Sequence, residues 1–333
     1  MRDPGTPVGG KAGGMTEALV LRAARTHWTA RVAPLAVLWS TVYGAVQVWF
    51  ALGHAPEWDF GIDLFVPGWG TVALCAAAGS VVAGLTAASR WSLVVAAWAV
   101  AATLAGASGL LLLDAVGMLI PGMDIPVQPA AVASRLGAAG LAVLVGATAL
   151  SHQRRLREGC ASCGRTERWT PPAGTPRWAW VGAYAAVAGC VVRLAAQYVV
   201  GWDDIPYEPN PGLVVFEVLF VLAGTVLPLG LVHHWGRVWP RWVLPVAGRR
   251  VPRWLPLGPA VFLSIGITAY FGIGLGGMVV DAIQGKSAAS GPFSAGFFWV
   301  AVPSYVVWGI GLGLAAVSYA RLTRPVCRSC HRG

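Results

Sequence analysis

Two pairs of cysteines have the spacing of metal ligands. Cys160 and Cys163 form one CxxC motif, and Cys327 and Cys330 form a second. A CxxC motif can chelate one metal ion with two thiolates, and two such pairs supply the tetrahedral four-sulfur shell that Zn2+ favours. The sequence therefore predicts one structural zinc site built from all four residues.

The same motif also occurs as the dithiol of thiol exchange, so redox chemistry or metal sensing is an alternative. A third interpretation is that the four thiols are unmetallated and have no dedicated role. Structural disulfides are rare in the cytoplasm, where these motifs are expected, and neither motif lies beside a thioredoxin-like βαβ pattern. These points favour zinc. The remaining cysteines, Cys75 and Cys190, lie in apolar runs and are expected to pack as small apolar residues.

A second candidate site consists of polar residues inside apolar runs. Such residues are costly in a membrane and are functional candidates by default. Two ion pairs are expected, Arg193 with Glu217 and Arg135 with Asp114. Structural ion pairing or snorkelling to the interface is the alternative to a ligand site. The predicted outward-facing pocket, too shallow for a midplane transport site, contains Gln47, Asp114, Arg135, Arg193, Gln197, Glu217 and Asp281.

Composition places these residues in a membrane protein. Of the 333 residues, 56% are hydrophobic and only 11% are charged, whereas soluble domains carry about 25% charged residues. A helix needs about 20 apolar residues to cross the hydrocarbon core. The sequence predicts an all-α polytopic protein with eight such helices, at roughly 32–53, 69–89, 92–113, 130–150, 178–200, 213–234, 257–281 and 297–320.

The distribution of charge predicts the orientation. With residue 1 in the cytoplasm, 21 of the 24 Lys and Arg residues fall on the cytoplasmic side, so the positive-inside rule places both termini there. The basic face is expected to contact anionic lipid rather than nucleic acid. The predominance of Arg over Lys hints at a bacterial source and the plasma membrane. The acids expected on the outer side are Glu57, Asp59, Asp63, Asp124, Asp203, Asp204 and Glu208.

The chain shows an internal similarity at an offset of 167 residues. Gly146 aligns with Gly313, and Cys160 aligns with Cys327. The pattern predicts two tandem parallel four-helix repeats around a pseudo-two-fold axis along the membrane normal. Two GxxxG motifs, Gly272 to Gly276 and Gly309 to Gly313, predict close helix packing. The predicted divisions are a partly disordered tail 1–30 that includes Met15 as an alternative start, repeats at 31–165 and 178–333, and a linker 166–177.

Three classes of function remain open. No nucleophile elbow, phosphate-binding loop or zinc-protease motif is present in the sequence, so an enzyme is unsupported. The leading interpretation is a transporter, permease component or ligand sensor with an unknown small ligand. The alternatives are a cytoplasm-facing thiol- or metal-responsive redox protein, and a scaffold for another membrane protein.

Overall fold

The computed structural model describes residues 12–58, 60–120, 122, 125–160, 162–168, 170, 172–200, 211–239, 241, 247–286, 294–327 and 329–330. Five of the acids expected on the outer side, Asp59, Asp124, Asp203, Asp204 and Glu208, lie outside these residues, as does segment 1–11 of the predicted tail. From Ala12 onward that tail is helical and continuous with the first helix that is long and apolar enough to cross a membrane.

The fold is all-α, with 76% helix, as the sequence predicts. Seven helical segments in the described residues are long and apolar enough to cross a membrane, and a bent pair makes an eighth. The helices are α1 Ala12–Trp49, α2 Trp69–Ala87, α3 Trp91–Ala107, α4 Leu111–Leu119, α5 Pro129–Leu156, α6 Arg177–Val200, α7 Pro211–Val221, α8 Leu227–Val232, α9 Trp254–Ile283 and α10 Ala295–Leu322. Short π-helical turns, Phe50–His54 and Leu222–Val226, follow α1 and α7.

The third predicted span, 92–113, is not one straight helix. It is the bent pair, in which α3 and α4 meet at an angle of 43°. Ser108 and Gly109 form the break, and both residue types are weaker helix formers than alanine. Gly109 is also a close contact, because a Cβ there would lie 3.0 Å from Phe65 and 3.2 Å from Ala269. The bend therefore accommodates neighbouring elements.

The apolar core forms two clusters. One joins α1, α2, α3 and α5 around residues such as Leu85 and Leu141. The other joins α6, α8, α9 and α10 around Trp308 and Leu312. These clusters fall in the two proposed repeats, but the correspondence of the repeats stays a prediction from the sequence.

The two halves touch along α3, α4 and α9. The rings of Phe65 and Tyr270 lie 5.8 Å apart, and a Cβ at Gly266 would lie 3.3 Å from the Cβ of Leu112. Most of α9 is otherwise uncovered, with 6% of its apolar window buried in the described structure. The contact between the halves within the helical region is therefore narrow.

Large apolar side chains cover the exterior. Trp254 is 71% exposed, Ile283 is 80% exposed and Val199 is 83% exposed. Extended apolar exteriors are rare on soluble monomers, and lipid chains are a solvent in which such surfaces are stable. The exterior therefore fits a membrane protein.

The two GxxxG motifs differ in their surroundings. A Cβ at Gly313 would lie 2.5 Å from the Ser264 hydroxyl, so Gly309 and Gly313 allow α10 to approach α9 as predicted. A Cβ on Gly272 or Gly276 would meet no atom of the described residues within 4 Å. The close packing predicted for the Gly272 to Gly276 motif is therefore not found among the described residues.

Candidate functional site

The four CxxC cysteines converge at one place in the structure. Their sulfur atoms all lie within 4.8 Å of one another, although 167 positions separate Cys163 from Cys330, whose sulfurs are 3.6 Å apart. All the cysteines are free thiols. The first motif follows the end of α5 at Leu156, and the second follows the end of α10 at Leu322. The segments that follow these two helices thus meet to form the cluster.

Backbone hydrogen bonds shape the first motif into a tight turn. The amide of Gly164 donates to the Cys160 carbonyl at 2.6 Å, and the amide of Cys160 donates to the Arg165 carbonyl at 2.9 Å. Gly164 has a φ of 75°, a conformation that glycine adopts without the penalty of a Cβ. A Cβ there would also lie 3.0 Å from the Arg154 Nε. Glycine at this position therefore lets the chain fold back on itself.

Arginine side chains connect the two motifs. Arg324 donates to the Cys163 carbonyl at 3.2 Å, and Arg165 donates in the opposite direction to the Pro325 carbonyl, also at 3.2 Å. Arg154 donates to the Ser162 carbonyl at 3.3 Å within the first half. The two turns are thus held together by hydrogen bonds that do not depend on the thiols.

The thiols have unequal proton affinities. Burial raises the pKa of Cys327, but amide N–H groups of Cys330 and Ser329 and the neighbouring thiols outweigh it, so its pKa falls to about 6. The pKa of Cys160 is lowered in the same way. Burial and the three neighbouring thiols raise the pKa of Cys163 to about 12. In the absence of a cation, the cluster therefore ionises in steps, because each new thiolate repels the next.

This arrangement fits a tetrahedral metal ion. With Zn–S bonds of about 2.3 Å, sulfur atoms around zinc lie about 3.8 Å apart, close to the separations in the cluster. Amide N–H groups directed at the sulfurs stabilise thiolates, and a four-thiolate set favours soft or borderline metals such as zinc. The fit rests on donor type, number and spacing.

The predicted polar pocket does not form as a single site. In the first half, Arg135 is 1% exposed and lies 2.5 Å from the carboxylate of Asp114, which is fully buried. This is the predicted ion pair. Gln47, also buried, donates to the hydroxyls of Ser134 and Tyr43, each at 2.9 Å. These residues are packed into the core, which supports the structural interpretation of this part of the set.

Asp63 belongs to the same network but was expected only as an acid of an outer loop. Its carbonyl accepts from the Arg135 Nε at 2.8 Å, and its carboxylate accepts from the Ser134 hydroxyl at 2.7 Å. Asp63, Ser134 and Tyr43 are partners in this network that the sequence pattern did not predict. The sequence feature that could have indicated this network is Ser134, a polar residue next to Arg135 at the start of a predicted span.

The second half holds a separate groove between α6, α7 and α10. It has a volume of about 730 Å³, and Arg193, Gln197, Glu217 and Tyr305 lie in its wall among apolar side chains. Arg193 donates from Nε to the Tyr305 hydroxyl at 3.0 Å. The described residues form two ion pairs, Arg135–Asp114 and Lys286–Asp281. The expected pairing of Arg193 with Glu217 is therefore not among them, although both line the groove.

Asp281 lies apart from both sites. It is half exposed near the end of α9, and its carboxylate is 3.9 Å from the Lys286 ammonium group. Exposed pairs of this kind contribute about 0–1 kcal/mol. The seven polar residues predicted to share one pocket therefore occupy three places.

Comparison with known proteins does not assign the chain to a family. No protein-family model matches the chain, and no match is found among curated proteins or solved structures. The cysteine cluster and the groove are thus the features of this chain that bear on its function.

Proposed function

We propose that this chain is an integral membrane protein whose two halves are joined by a structural zinc ion. The observation that carries the proposal is the convergence of four cysteines from both halves, with all sulfurs within 4.8 Å. Zinc bound by four thiolates has no open coordination position, so the site is structural rather than catalytic. The positive-inside rule supports a cytoplasmic position for this site and for both termini, and the predominance of Arg over Lys supports a bacterial plasma membrane.

The experiment that tests this proposal is a measurement of zinc per chain. Protein purified in detergent without chelators is expected to carry about one zinc ion, and the Cys160→Ser/Cys327→Ser variant is expected to lose it. The matched control is Cys75→Ser/Cys190→Ser, which removes two thiols that lie buried in α2 and α6. Zinc below about a tenth of one ion per chain in reduced wild-type protein would overturn the proposal.

Within this framework, the groove of the second half favours a ligand-binding role, as a transporter component or sensor. Its volume of about 730 Å³ lies within the usual range for small-molecule sites, about 300–1,000 Å³. Its wall is apolar except for a few groups that include the Arg193 cation and the Glu217 carboxylate. We infer an amphipathic ligand whose polar end meets Arg193.

Dodecanoate is a suitable probe of this groove, because it combines an alkyl chain with a carboxylate. It is expected to raise the unfolding temperature of the wild type saturably, and Arg193→Gln is expected to weaken its binding about tenfold or more by removing the charge-assisted contact. Arg155→Gln, an exposed arginine on α5, is the control. Equal binding of dodecanoate by the wild type, Arg193→Gln and Arg155→Gln would show that the groove is not the binding site.

One observation favours a second candidate, a thiol-responsive redox protein. The Cys163 and Cys330 sulfurs are 3.6 Å apart, so the thiolate of one can reach the sulfur of the other. Oxidation would join two thiols in a disulfide and release two protons and two electrons to an oxidant such as oxidised glutathione. Reversible intramolecular disulfide formation at cytoplasmic potentials would support this candidate. Thiols inert to oxidised glutathione would exclude it.

A further inference from the structure

A second cavity lies directly beside the cysteine cluster. It has a volume of about 340 Å³ and is framed by segments 162–165 and 324–327 together with Arg253. Three arginines, Arg165, Arg253 and Arg324, line it, and no acidic residue is among the described residues in its wall. The cavity is therefore small, and the charged residues in its described wall are all positive.

The three arginines come from different parts of the chain. Arg165 follows the first CxxC motif and is 2% exposed, Arg324 follows α10, and Arg253 immediately precedes α9. The Arg253 Nε is buried and has no hydrogen-bond partner among the described residues. Neither Arg253 nor Arg324 belongs to the two ion pairs of the described chain. These guanidinium groups thus retain donors for an anion.

The metal site does not account for the charge. Zinc with four thiolates carries a net charge of −2, and four arginines contact or line this region. Arg253 and Arg324 lie in the same cavity wall and belong to neither ion pair of the described residues, so no carboxylate among those residues neutralises them. The four arginines that contact or line this region are Arg154, Arg165, Arg253 and Arg324.

We propose that this cavity binds a phosphate group next to the cysteine cluster. Guanidinium groups bind phosphate oxygens through pairs of charge-assisted hydrogen bonds, and Arg165, Arg253 and Arg324 bring three such groups to one cavity wall. The proposal goes beyond structural zinc and a ligand groove, because it assigns a separate anion site at the opposite end of the helices. It does not require the metal, since the arginines line the cavity independently of metal binding.

The position of the cavity allows two sources of phosphate. Trp254, next to Arg253, is 71% exposed, and tryptophans at helix ends commonly lie at the level of the headgroups. A lipid headgroup could therefore reach the arginines from the membrane. A soluble phosphate compound could enter the same cavity from the predicted cytoplasmic side.

The test uses the full chain in neutral detergent and in phosphatidylcholine nanodiscs, with inorganic phosphate and phosphatidylglycerol as the two probes. Binding is read from the unfolding temperature and from native mass spectrometry, and zinc is measured on the same samples. Saturable stabilisation by phosphate indicates a soluble anion. One retained phosphatidylglycerol per chain without an effect of phosphate indicates a lipid headgroup.

Two variants that each remove two positive charges distinguish a specific phosphate site from non-specific electrostatic attraction to the basic surface. Arg253→Gln/Arg324→Gln removes two cations from the cavity and is expected to weaken binding at least tenfold. Arg249→Gln/Arg250→Gln removes two exposed cations from the adjacent loop and is expected to change binding less than twofold. Equal weakening in both variants, or no saturable binding of either probe, overturns the proposal.

The zinc measurement separates this proposal from that of the metal site. If the cavity variant loses zinc because Arg324 no longer holds the Cys163 carbonyl, the single variant Arg253→Gln replaces it, since Arg253 makes no hydrogen bond to either motif in the described structure. Weakened phosphate binding with zinc retained supports the phosphate site alone. Unchanged phosphate binding in Arg253→Gln overturns it, whatever the zinc content.

Discussion

Arg135 shows how a single cation is accommodated inside the first helical cluster. Its guanidinium contacts the Asp114 carboxylate and the carbonyls of Asp63 and Ile62. A buried charge is tolerated when its hydrogen bonds are satisfied, and removing one partner costs about 3–5 kcal/mol because the other charge remains. The network therefore has a structural role that can be measured.

Arg135→Leu is expected to lower the unfolding temperature in detergent strongly, because the Asp114 carboxylate is left buried without its cation. Arg135→Leu/Asp114→Leu should recover part of the loss, since no unpaired charge remains, while the Asp63 and Ile62 carbonyls still lack their donor. Thermal scans at one heating rate measure both, with exposed Arg155→Leu as control. A double variant no more stable than the single one would contradict this account.

At the scale of elements, backbone contact between α6 and α10 depends on glycine. A Cβ at Gly311 would overlap the Gly182 carbonyl oxygen and lie 2.9 Å from the Ala186 amide nitrogen. Backbone atoms cannot rotate away as a flexible side chain can, so a methyl group there must push the helices apart. The close approach buries Leu312 and Ala315 in the second cluster.

Gly311→Ala is thus expected to destabilise the protein by about 1–3 kcal/mol through overpacking. The matched control is Gly276→Ala on α9, where a Cβ would meet no described atom within 4 Å. At that position alanine should be neutral or stabilising by up to about 1 kcal/mol, owing to its higher helix propensity. Unfolding temperatures of the two variants provide the comparison, and a Gly311→Ala protein as stable as wild type would show that α6 and α10 pack more loosely.

At the scale of the whole molecule, two clusters of helices meet through a narrow contact and through the cysteine segments. The contact includes Phe65 with Tyr270 and Leu112 with Gly266. At the ends of α5 and α10, the halves are joined by Arg165 and Arg324 and by the proposed metal. The metal would therefore connect elements from opposite parts of the sequence.

Removing zinc with a chelator is expected to increase amide hydrogen exchange in segments 157–168 and 324–330 together. Each turn would lose the ion that fixes its sulfurs, while the amides of α5 around Leu141 should stay protected by the core. Hydrogen exchange measured by mass spectrometry on paired samples provides the test. Increased exchange in only one segment would mean that the metal does not bridge the two halves.

The sequence by itself determined what depends on composition and local pattern. Apolar runs of about 20 residues can satisfy their backbone only as helices in lipid, so the all-α fold and the positions of the helices followed from the printed chain. Candidate metal ligands are recognisable by type and spacing, which is why Cys160, Cys163, Cys327 and Cys330 were predicted to lie together, as they do in the structure. The Arg135–Asp114 pair followed from matching depths in adjacent predicted spans.

Only the tertiary structure decided which of these residues meet. Helical depth is set by sequence position, but the direction in which a side chain points depends on helix rotation, bends and loop paths. Asp63 joined Arg135 because its loop folds inward, and Arg193 turned to Tyr305 because α10 packs beside α6. The bend after α3 likewise depends on packing from Phe65 and Ala269. Long-range contacts therefore divided the predicted pocket and placed the arginines beside the cysteines.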